Sequence, residues 1–394
     1  MVEEREKTSG SALESDMESR AEGVNLDLGN ACSRTPLSWA QKTVEQRSGK
    51  PGALVPGLKD AFATILEFGT VRIAVTSDGI GTKIELAERT QIYDTLGFDL
   101  VSMVVDDLAA IGAEPVGVSN ILDVDIPDEE IVDALMKGLH DAAIVAGIAV
   151  TGGEIAQLGG RIRGWGERMH FNWCATGIGV LSGKAGVVDG SRVGVGDVIV
   201  SLASCGLRSN GFTLARDILQ QAHGDDWHNA SFDGKTSWGQ TLLRPSRIFA
   251  PAVRRLVERG IPLHGVAHIT GGGIPDNLAR VLAPSRLGAA LEALFPPHAA
   301  MRRLQELGGV CEAHAYRQWN MGNGMLLVIP EAQVKSALSS LDGAGYDARA
   351  AGMVTENREI TIRSDGRRPQ LLTYPVTESD STEMTGANDH VADE

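Results

Sequence analysis

The chain contains no run approaching the ~18 consecutive apolar residues that a membrane-spanning helix needs. Residues 1–22 are polar and highly charged, and they lack the apolar centre of a secretory signal peptide. These two absences predict a cytoplasmic protein that does not associate with membranes. We also expect residues 1–22 to form a disordered tail, because such a segment cannot bury enough apolar surface to fold.

Cysteine is scarce as well. The four cysteines, Cys32, Cys174, Cys205 and Cys311, are far apart, and no two of them form a CxxC pair. This spacing is typical of reduced thiols in a cytosolic protein, and it provides neither a disulfide framework nor a cysteine-based metal site.

Basic residues are fewer than acidic residues. The sequence has 36 Lys and Arg residues against 51 Asp and Glu residues, which gives a net charge of −15. Binding to nucleic acid of any sequence depends on Lys and Arg neutralising phosphates, so we expect no nucleic-acid partner. A small anionic ligand held by one basic turn remains compatible with this charge.

The length and composition predict a globular protein with two domains. The chain has 394 residues, of which 43% are hydrophobic, enough for about two or three domains. We place the N-terminal domain at residues 23–185 and the C-terminal domain at 186–367. Residues 368–394 are rich in acidic and polar side chains, and we expect them to form an acidic tail.

Helix-like and strand-like segments alternate between the two tails. Residues 100–111 have a helical apolar period, and Ile131, Leu135 and Leu139 repeat every four residues after an acidic first turn. Residues 148–150, 175–180, 198–200 and 325–329 have the pattern of strands. The alternation predicts an α/β or α+β fold.

The segment 77–83, Ser-Asp-Gly-Ile-Gly-Thr-Lys, follows one of these alternating strands. Glycines let the backbone approach a ligand closely, and successive amides in such a turn bind anions. Lys83 suits a phosphate, and Asp78 suits Mg²⁺, which prefers oxygen ligands. The segment therefore indicates nucleotide phosphate chemistry, although a plain glycine turn with a solvated Lys83 would have the same sequence.

Two further acidic clusters are present. Asp106 and Asp107 lie within an otherwise apolar helix, where they are costly if buried without a partner or a metal. The alternative is that both reach solvent. Glu154 follows Gly152 and Gly153 at what we predict to be the end of a strand, beside flexible backbone. An ordinary turn explains that second cluster equally well.

Two polar loops complete the set. Segment 204–211 contains small donors, Arg208 and two glycines ahead of a predicted helix, and Arg208 could make bidentate contact with a phosphate. An Asn-Gly turn with a helix cap is the alternative. Segment 268–273 ends in three consecutive glycines, which suggest close backbone approach to a ligand or another chain, or else a flexible turn. We expect a structural role for His268.

These clusters and the segments between them resemble the aminoimidazole ribonucleotide synthetase family, also called phosphoribosylformylglycinamidine cyclo-ligases. The resemblance runs from residue 23 to residue 362 and includes further blocks at 23–30, 94–101, 112–115, 245–248 and 320–325. It implies a homodimer whose N-terminal domains pair into a shared β-barrel, and a C-terminal mixed α/β sandwich domain. ATP is expected near the dimer interface, bound by the N-terminal domain.

The resemblance also implies a reaction. ATP phosphorylates the formyl amide oxygen of formylglycinamidine ribonucleotide, and ring closure gives aminoimidazole ribonucleotide for purine synthesis. Catalytic roles are implied for Lys83, Asp107 and Arg208. ATP contacts are implied for Asp78, Gly79, Gly81, Thr82, Lys83, Gly152, Gly153 and Glu154. Substrate contacts are implied for Ser209, Asn210, Gly211, Gly271, Gly272 and Gly273. The implied Mg²⁺ ligands are Asp78 and Asp107.

Some positions depart from the family pattern. Gln157 stands where the family has a carboxylate, and Arg208 stands where it has a histidine. Arginine stays protonated, so Arg208 cannot act as a general base at neutral pH. Two alternatives follow: a paralogue that activates a different amide with ATP, and a nucleotide-binding regulatory homologue.

Overall fold

The computed structural model describes residues 35–58, 61–181 and 186–376. The predicted tail at 1–22, the matching block at 23–30, Cys32, most of the predicted tail at 368–394 and the end of the first domain near residue 185 lie outside these ranges. The described residues form two mixed α/β domains, each built on one sheet, which confirms the predicted fold class.

The N-terminal domain is a six-stranded sheet with helices on one face. Its strand order is β1-β2-β3-β6-β4-β5, and only the β4–β5 pair is parallel. Its strands are β1 (Ala53–Leu54), β2 (Thr64–Phe68), β3 (Val71–Gly79), β4 (Glu114–Val124), β5 (Ala149–Gln157) and β6 (Phe171–Leu181). Its helices are α1 (Lys83–Thr90), α2 (Leu96–Ala110) and α3 (Glu129–Ala146).

Helix α3 has the acidic first turn that its sequence predicts, and capping residues define both of its ends. The Asp128 carboxylate accepts hydrogen bonds from the amides of Glu130 and Ile131 at 3.1 and 3.2 Å, and the helix ends at Gly147 with φ of 72°. Helices α2 and α3 cross where Gly97 meets Gly138. A Cβ atom added to Gly97 would lie 2.1 Å from the carbonyl carbon of Gly138, so this crossing requires glycine.

The C-terminal domain is a seven-stranded sheet of order β13-β12-β9-β11-β7-β10-β8, in which only β9–β12 is parallel. Its strands are β7 (Val198–Ala203), β8 (Gly265–His268), β9 (Gly288–Leu291), β10 (Asn323–Ile329), β11 (Ala348–Thr355), β12 (Glu359–Arg363) and β13 (Leu371–Pro375). Its helices are α4 (Phe212–His223), α5 (Trp238–Leu242), α6 (Ala250–Glu258), α7 (Gly273–Leu282), α8 (Ala299–Gly308), α9 (Glu312–Gln318) and α10 (Val334–Asp342).

Two sequence expectations need correction. The acidic tail was expected from residue 368, but Leu371–Pro375 forms β13, which pairs with β12 over five residues. The alternating Leu372 and Tyr374 are buried against the domain, so apolar periodicity outweighs the polar neighbours. Gly152, Gly153 and Glu154 were expected at a strand end, but β5 continues to Gln157 because it pairs with β4 throughout.

Helix α2 joins the two domains through buried carboxylates. Asp99 accepts hydrogen bonds from the amide and hydroxyl of Ser246. Asp106, two turns further along the same helix face, accepts from the amides of Phe249 and Ala250 at 2.7 and 2.8 Å. Both aspartates are completely buried. The segment that leads into α6 is therefore fixed to α2 by charge-assisted hydrogen bonds.

One large hydrophobic cluster runs through both domains, from Leu100 on α2 to Val200 on β7, and a smaller one around Ile65 and Leu108 lies within the N-terminal domain. None of the helices in the described part of the chain combines the length and hydropathy that a membrane crossing needs.

We predict that Asp106→Ala destabilises the protein by about 3–5 kcal/mol, because it leaves the buried Arg208 guanidinium and two amides without their acceptor. The measurement is guanidinium-induced unfolding followed by circular dichroism. Asp141→Ala is the matched control, because that carboxylate pairs with Lys137 at the surface, and its unfolding midpoint should not change. Equal midpoints for the two variants would contradict the proposed docking role.

Candidate active site

The segment after β3 forms the expected tight turn. Gly81 has φ of 72°, in the left-handed region, and Thr82 is the N-cap of α1. The first amides of a helix have no intrahelical partners and favour anions. Asp78 lies at the end of β3, where its carboxylate accepts a hydrogen bond from the Gly79 amide at 2.7 Å. The turn therefore combines an anion-binding helix start with a nearby carboxylate.

Asp107 on α2 lies close enough to Asp78 for their charges to interact. Burial, together with the negative charge of Asp107, raises the pKa of Asp78 to about 6, and the hydrogen bond from the Gly79 amide opposes that rise. Burial also raises the pKa of Asp107 to about 7, while Arg280 and Arg208 oppose that shift. Neither aspartate forms an ion pair with a lysine or arginine within the described ranges. Two adjacent carboxylates are thus held in an environment that disfavours their charge.

His268 at the end of β8 positions Asp107. Its Nδ1 lies 2.7 Å from Asp107 Oδ1, and the ring is completely buried. Burial, helped by Arg208 and Arg280, lowers the pKa of His268 to about 3. The ring is therefore neutral at pH 7, and Nδ1–H donates to the carboxylate. The structural role expected for His268 agrees with this contact.

The ammonium of Lys83 points into the protein interior and not towards solvent. It is completely buried, at 2.7 Å from a carboxylate oxygen of Asp99 and 2.8 Å from the carbonyl oxygen of Arg244. Burial lowers the pKa of Lys83, and the Asp99 carboxylate opposes that shift. The phosphate contact expected of Lys83 is not the contact that the structure shows, because Asp99 already satisfies the charge.

Arg208 is also an interior residue. It is 3% exposed, and its guanidinium donates to Asp106 at 2.9 Å and to the carbonyl of Gly324 at 3.0 Å. Its φ of 66° places the backbone in the left-handed region. The guanidinium faces α2 and the ring of Phe249 rather than an open cleft. Arg208, which departs from the histidine expected at this position, thus forms an ion pair that links the two domains.

The loop 204–211 nevertheless lies beside the turn. The Ser209 carbonyl oxygen would be 3.8 Å from a Cβ atom on Gly81, and the Thr82 hydroxyl is 3.3 Å from that of Thr213. Asn210 reaches towards Gly271, since its Oδ1 would lie 3.5 Å from a Cβ atom there. The loop therefore connects the phosphate turn with the three glycines.

Part of the glycine run has an internal explanation. A Cβ atom on Gly273 would lie 2.0 Å from the carbonyl oxygen of Tyr316, and one on Gly272 would lie 2.6 Å from a carboxylate oxygen of Asp276. Asn277 donates to the carbonyls of Gly271 and Gly273 at 3.1 and 2.8 Å. Close packing against α9 and within α7 thus accounts for Gly272 and Gly273, and Gly271 remains open to other partners.

Sequence reasoning identified the segment 320–325 but not the contacts of Asn320. Its side chain donates to the carbonyls of Gly206 and Leu207 at 2.8 and 3.2 Å and accepts from the Ser204 hydroxyl at 2.8 Å. These bonds fix the loop from which Ser209 extends. An asparagine beside glycines in the sequence suggests that its side chain bonds to backbone groups. The sequence does not show that these groups belong to the loop 204–211.

The cluster of Gly152, Gly153 and Glu154 lies apart from the other four sequence clusters. Asp78, Ala175, Asn120 and Gly153 pair in one row across β3, β6, β4 and β5. Three strand spacings, roughly 14 Å, therefore separate Asp78 from Gly153. Glu154 is exposed and points to the opposite face of the sheet, because successive side chains alternate. One chain thus brings four of the five clusters together.

A cleft of about 530 Å³ opens beside the turn. Gly81 and Thr82 form one edge, and Glu88, Trp165 and Asn172 lie further along its walls. Within the described residues, no group of three or more His, Cys, Asp or Glu side chains could hold a metal ion alone. Two carboxylates with phosphate oxygens and water are a usual Mg²⁺ arrangement, and Asp78 with Asp107 fits it.

Comparison with known proteins assigns both domains. Residues 60–179 match the AIR synthase related protein N-terminal domain, and residues 194–365 match the corresponding C-terminal domain. In fold, the chain resembles the crystal structure of thiamine-monophosphate kinase from Stenotrophomonas maltophilia. The TM-score is 0.56 at 18% identity, over 82% of this chain and 96% of that one.

Two relatives are similar over almost their whole length. The phosphoribosylformylglycinamidine cyclo-ligase of Thermococcus kodakarensis is 37% identical over 87% of this chain and 97% of that protein. The protein of the same name from Methanothermobacter thermautotrophicus is 38% identical over 85% and 93%. The chain therefore belongs to the AIR synthase related family, together with the phosphoribosylformylglycinamidine cyclo-ligases.

Proposed function

We propose that this chain closes the imidazole ring of aminoimidazole ribonucleotide, using ATP and formylglycinamidine ribonucleotide in purine synthesis. One observation carries the proposal. Asp78 and Asp107 lie near each other beside an anion-binding turn, in a chain whose match covers 97% of the Thermococcus kodakarensis cyclo-ligase. The groups suited to phosphate and metal binding, and the family to which the chain belongs, thus support the same reaction.

The chemistry requires little covalent participation from the protein. The γ-phosphoryl group passes from ATP to the formyl oxygen, which converts a poor leaving group into a good one. A substrate nitrogen then attacks the formyl carbon and loses a proton, the carbon–oxygen bond breaks, and that oxygen departs in phosphate. The other product is ADP. Such a reaction depends on positioning and on neutralising phosphate charge.

The turn after β3 is the proposed phosphate site. The amides at Gly81 and Thr82 would cradle the phosphates at the start of α1, and Gly79, whose amide is bonded to Asp78, would shape the turn. Lys83, whose ammonium is buried against Asp99 on α2 and the Arg244 carbonyl of the C-terminal domain, would hold this turn in place rather than touch a phosphate. A buried ion pair directly behind the turn would keep the amides aligned in the absence of ligand.

Asp78 and Asp107 would hold Mg²⁺. Their raised pKa values mark two carboxylates without a cationic side-chain partner, and a divalent cation would supply the missing charge. Bound Mg²⁺ would neutralise phosphate charge during transfer. His268 would orient Asp107 through the 2.7 Å contact. Asp107 is thus the proposed catalytic carboxylate.

The substrate is expected between the domains. Ser209, Asn210 and Gly211 lie beside the phosphate turn, and Asn210 reaches towards Gly271. We propose that these loop residues contact the ribonucleotide near the transferred phosphoryl group, with the segment 271–273 lining the space between the domains. Arg208 would act from behind the loop by fixing it to Asp106.

A second copy of the chain is the proposed partner. The face of the N-terminal sheet opposite the helices is open, and Ile121 and Ile178 on it are 51% and 37% exposed. Other apolar residues on this face are Leu66, Ile73, Val75 and Val180. Pairing two such faces would give the β-barrel expected of the family. Glu154 lies on this face, so Gly152, Gly153 and Glu154 would meet ATP at the subunit boundary.

We place the reaction in the cytoplasm, where ATP and phosphorylated ribonucleotides are available. The cysteines at 174, 205 and 311 are free in the structure, which suits a reducing compartment.

The direct test supplies formylglycinamidine ribonucleotide, ATP and Mg²⁺ and measures aminoimidazole ribonucleotide. We expect product from the wild type and a loss of at least ~100-fold in turnover for Asp78→Asn, because the amide cannot neutralise a cation as the carboxylate does. Asp342→Asn, at an exposed helix end, is the matched control and should retain full turnover. A folded wild type that binds ATP without forming product would refute the proposed reaction.

Dimer formation is tested by introducing charge on the open sheet face. Ile121→Glu should shift the protein from dimer to monomer in sedimentation velocity, because a carboxylate would be buried without a partner. Ile144→Glu is the control, since that side chain is 66% exposed on α3 and should leave the dimer unchanged. A monomeric wild type at micromolar concentration would contradict the barrel.

A further inference from the structure

The cleft between α1 and the segment joining β5 to β6 has features that the phosphate site does not use. We propose that this cleft is the substrate subsite, with Glu88 binding the cationic amidine group and Arg163 binding the ribose phosphate of the ribonucleotide. The inference rests on the proposed function, because it assigns the two ends of that substrate.

The position and size of the cleft suit this substrate. Its volume of about 530 Å³ is typical of a small-molecule site. Gly81 and Thr82 form part of its wall and also belong to the phosphate turn. A ligand in the cleft would therefore lie beside the phosphates of ATP, as transfer to a formyl oxygen requires.

Glu88 provides a buried carboxyl group that no lysine or arginine neutralises. It is 3% exposed, and its carboxylate accepts a hydrogen bond from the Trp165 amide at 2.8 Å. No lysine or arginine forms an ion pair with it in the part of the chain that the structure describes. Burial raises the pKa of Glu88 to about 7, and the Trp165 amide and the neighbouring His170 ring oppose that rise. A planar amidinium, with two parallel N–H donors, would supply the charge that this carboxylate lacks.

Arg163 provides the complementary positive group. It lines the cleft and is exposed, and it makes no hydrogen bond or ion pair to another described residue. Arg216 in the same cleft is already paired with Glu85 at 2.5 Å. Arg163 is thus the lining cation that is free to bind a phosphate, for which a guanidinium is well suited.

The wall between these groups is fixed in place. The guanidinium of Arg89 lies 5.1 Å from the centre of the Trp165 ring and 5.3 Å from that of Trp227. The Trp165 ring also contacts His228 edge to face at 5.3 Å. These contacts attach the β5–β6 segment to the C-terminal domain. The cleft is therefore held open before the ligand arrives, which reduces the cost of binding.

The test compares Glu88→Gln and Arg163→Ala with wild type, using steady-state kinetics and calorimetry with formylglycinamidine ribonucleotide. We expect each variant to raise the KM and the Kd for the ribonucleotide by roughly 10- to 100-fold, the usual effect of losing one charged hydrogen bond. The Kd for ATP should stay within about twofold of wild type, since neither residue is assigned to the phosphate turn.

Arg161→Ala is the matched control. Arg161 is an exposed arginine in the same segment but does not line the cleft, so its KM should equal that of wild type. Thermal unfolding of each variant checks the fold, and if Glu88→Gln is unstable, the exposed Arg163→Ala decides the outcome.

The two proposals fail differently. An active wild type whose ribonucleotide KM and Kd do not change in Arg163→Ala would overturn the subsite and leave the function standing. A wild type without product, but with ribonucleotide binding weakened by both variants, would overturn the function and leave the subsite standing. Equal weakening by Arg161→Ala would also overturn the subsite, because it would indicate a general effect of surface charge.

Discussion

The negative charges on helix α2 determine how the rest of the molecule is arranged. Asp99 and Asp106 are completely buried, and backbone amides and cationic side chains from other elements satisfy them. Unpartnered, each would cost several kcal/mol, so the domains are held in the one arrangement that supplies the partners. Asp107, the next residue on the helix, is thereby fixed between β3 and β8, where it contacts His268 and lies within electrostatic reach of Asp78. The same helix therefore orders the domains and positions a carboxylate of the candidate site.

This arrangement separates groups that hold the structure from groups that are free to bind. Lys83 and Arg208 belong to motifs that suggest ligand binding, yet both form buried ion pairs with aspartates of α2. Asp78 and Asp107 keep raised pKa values, Glu88 has no lysine or arginine partner, and Arg163 forms no ion pair with another described residue. Unsatisfied charge thus lies along the turn and the adjoining cleft. Such a distribution is expected where catalysis proceeds through neutralisation of phosphate charge.

Much of the fold and part of the site could be predicted from the sequence. Apolar periodicity located α2, α3, β7 and β10, and the glycine-bordered aspartate located the turn after β3. The direction of the Lys83 side chain could not be predicted, because its partner Asp99 lies on another helix and both residues also suit a solvated surface. The extent of β5 was missed for a similar reason: Gly152 and Gly153 suggest a turn, and only pairing with β4 keeps them in a strand. The Lys83 contact and the extent of β5 both depend on partners that are distant in the sequence, and a local sequence pattern does not identify such partners.

The central claim is that Asp78 and Asp107 jointly hold a cation beside the turn at residues 79–82. A crystal structure with Mg²⁺ and a non-hydrolysable ATP analogue tests it most directly. We expect metal–oxygen distances of about 2.1 Å from both carboxylates, with the terminal phosphate on the amides at the start of α1. A nucleotide bound elsewhere, or a metal that contacts neither aspartate, would contradict it.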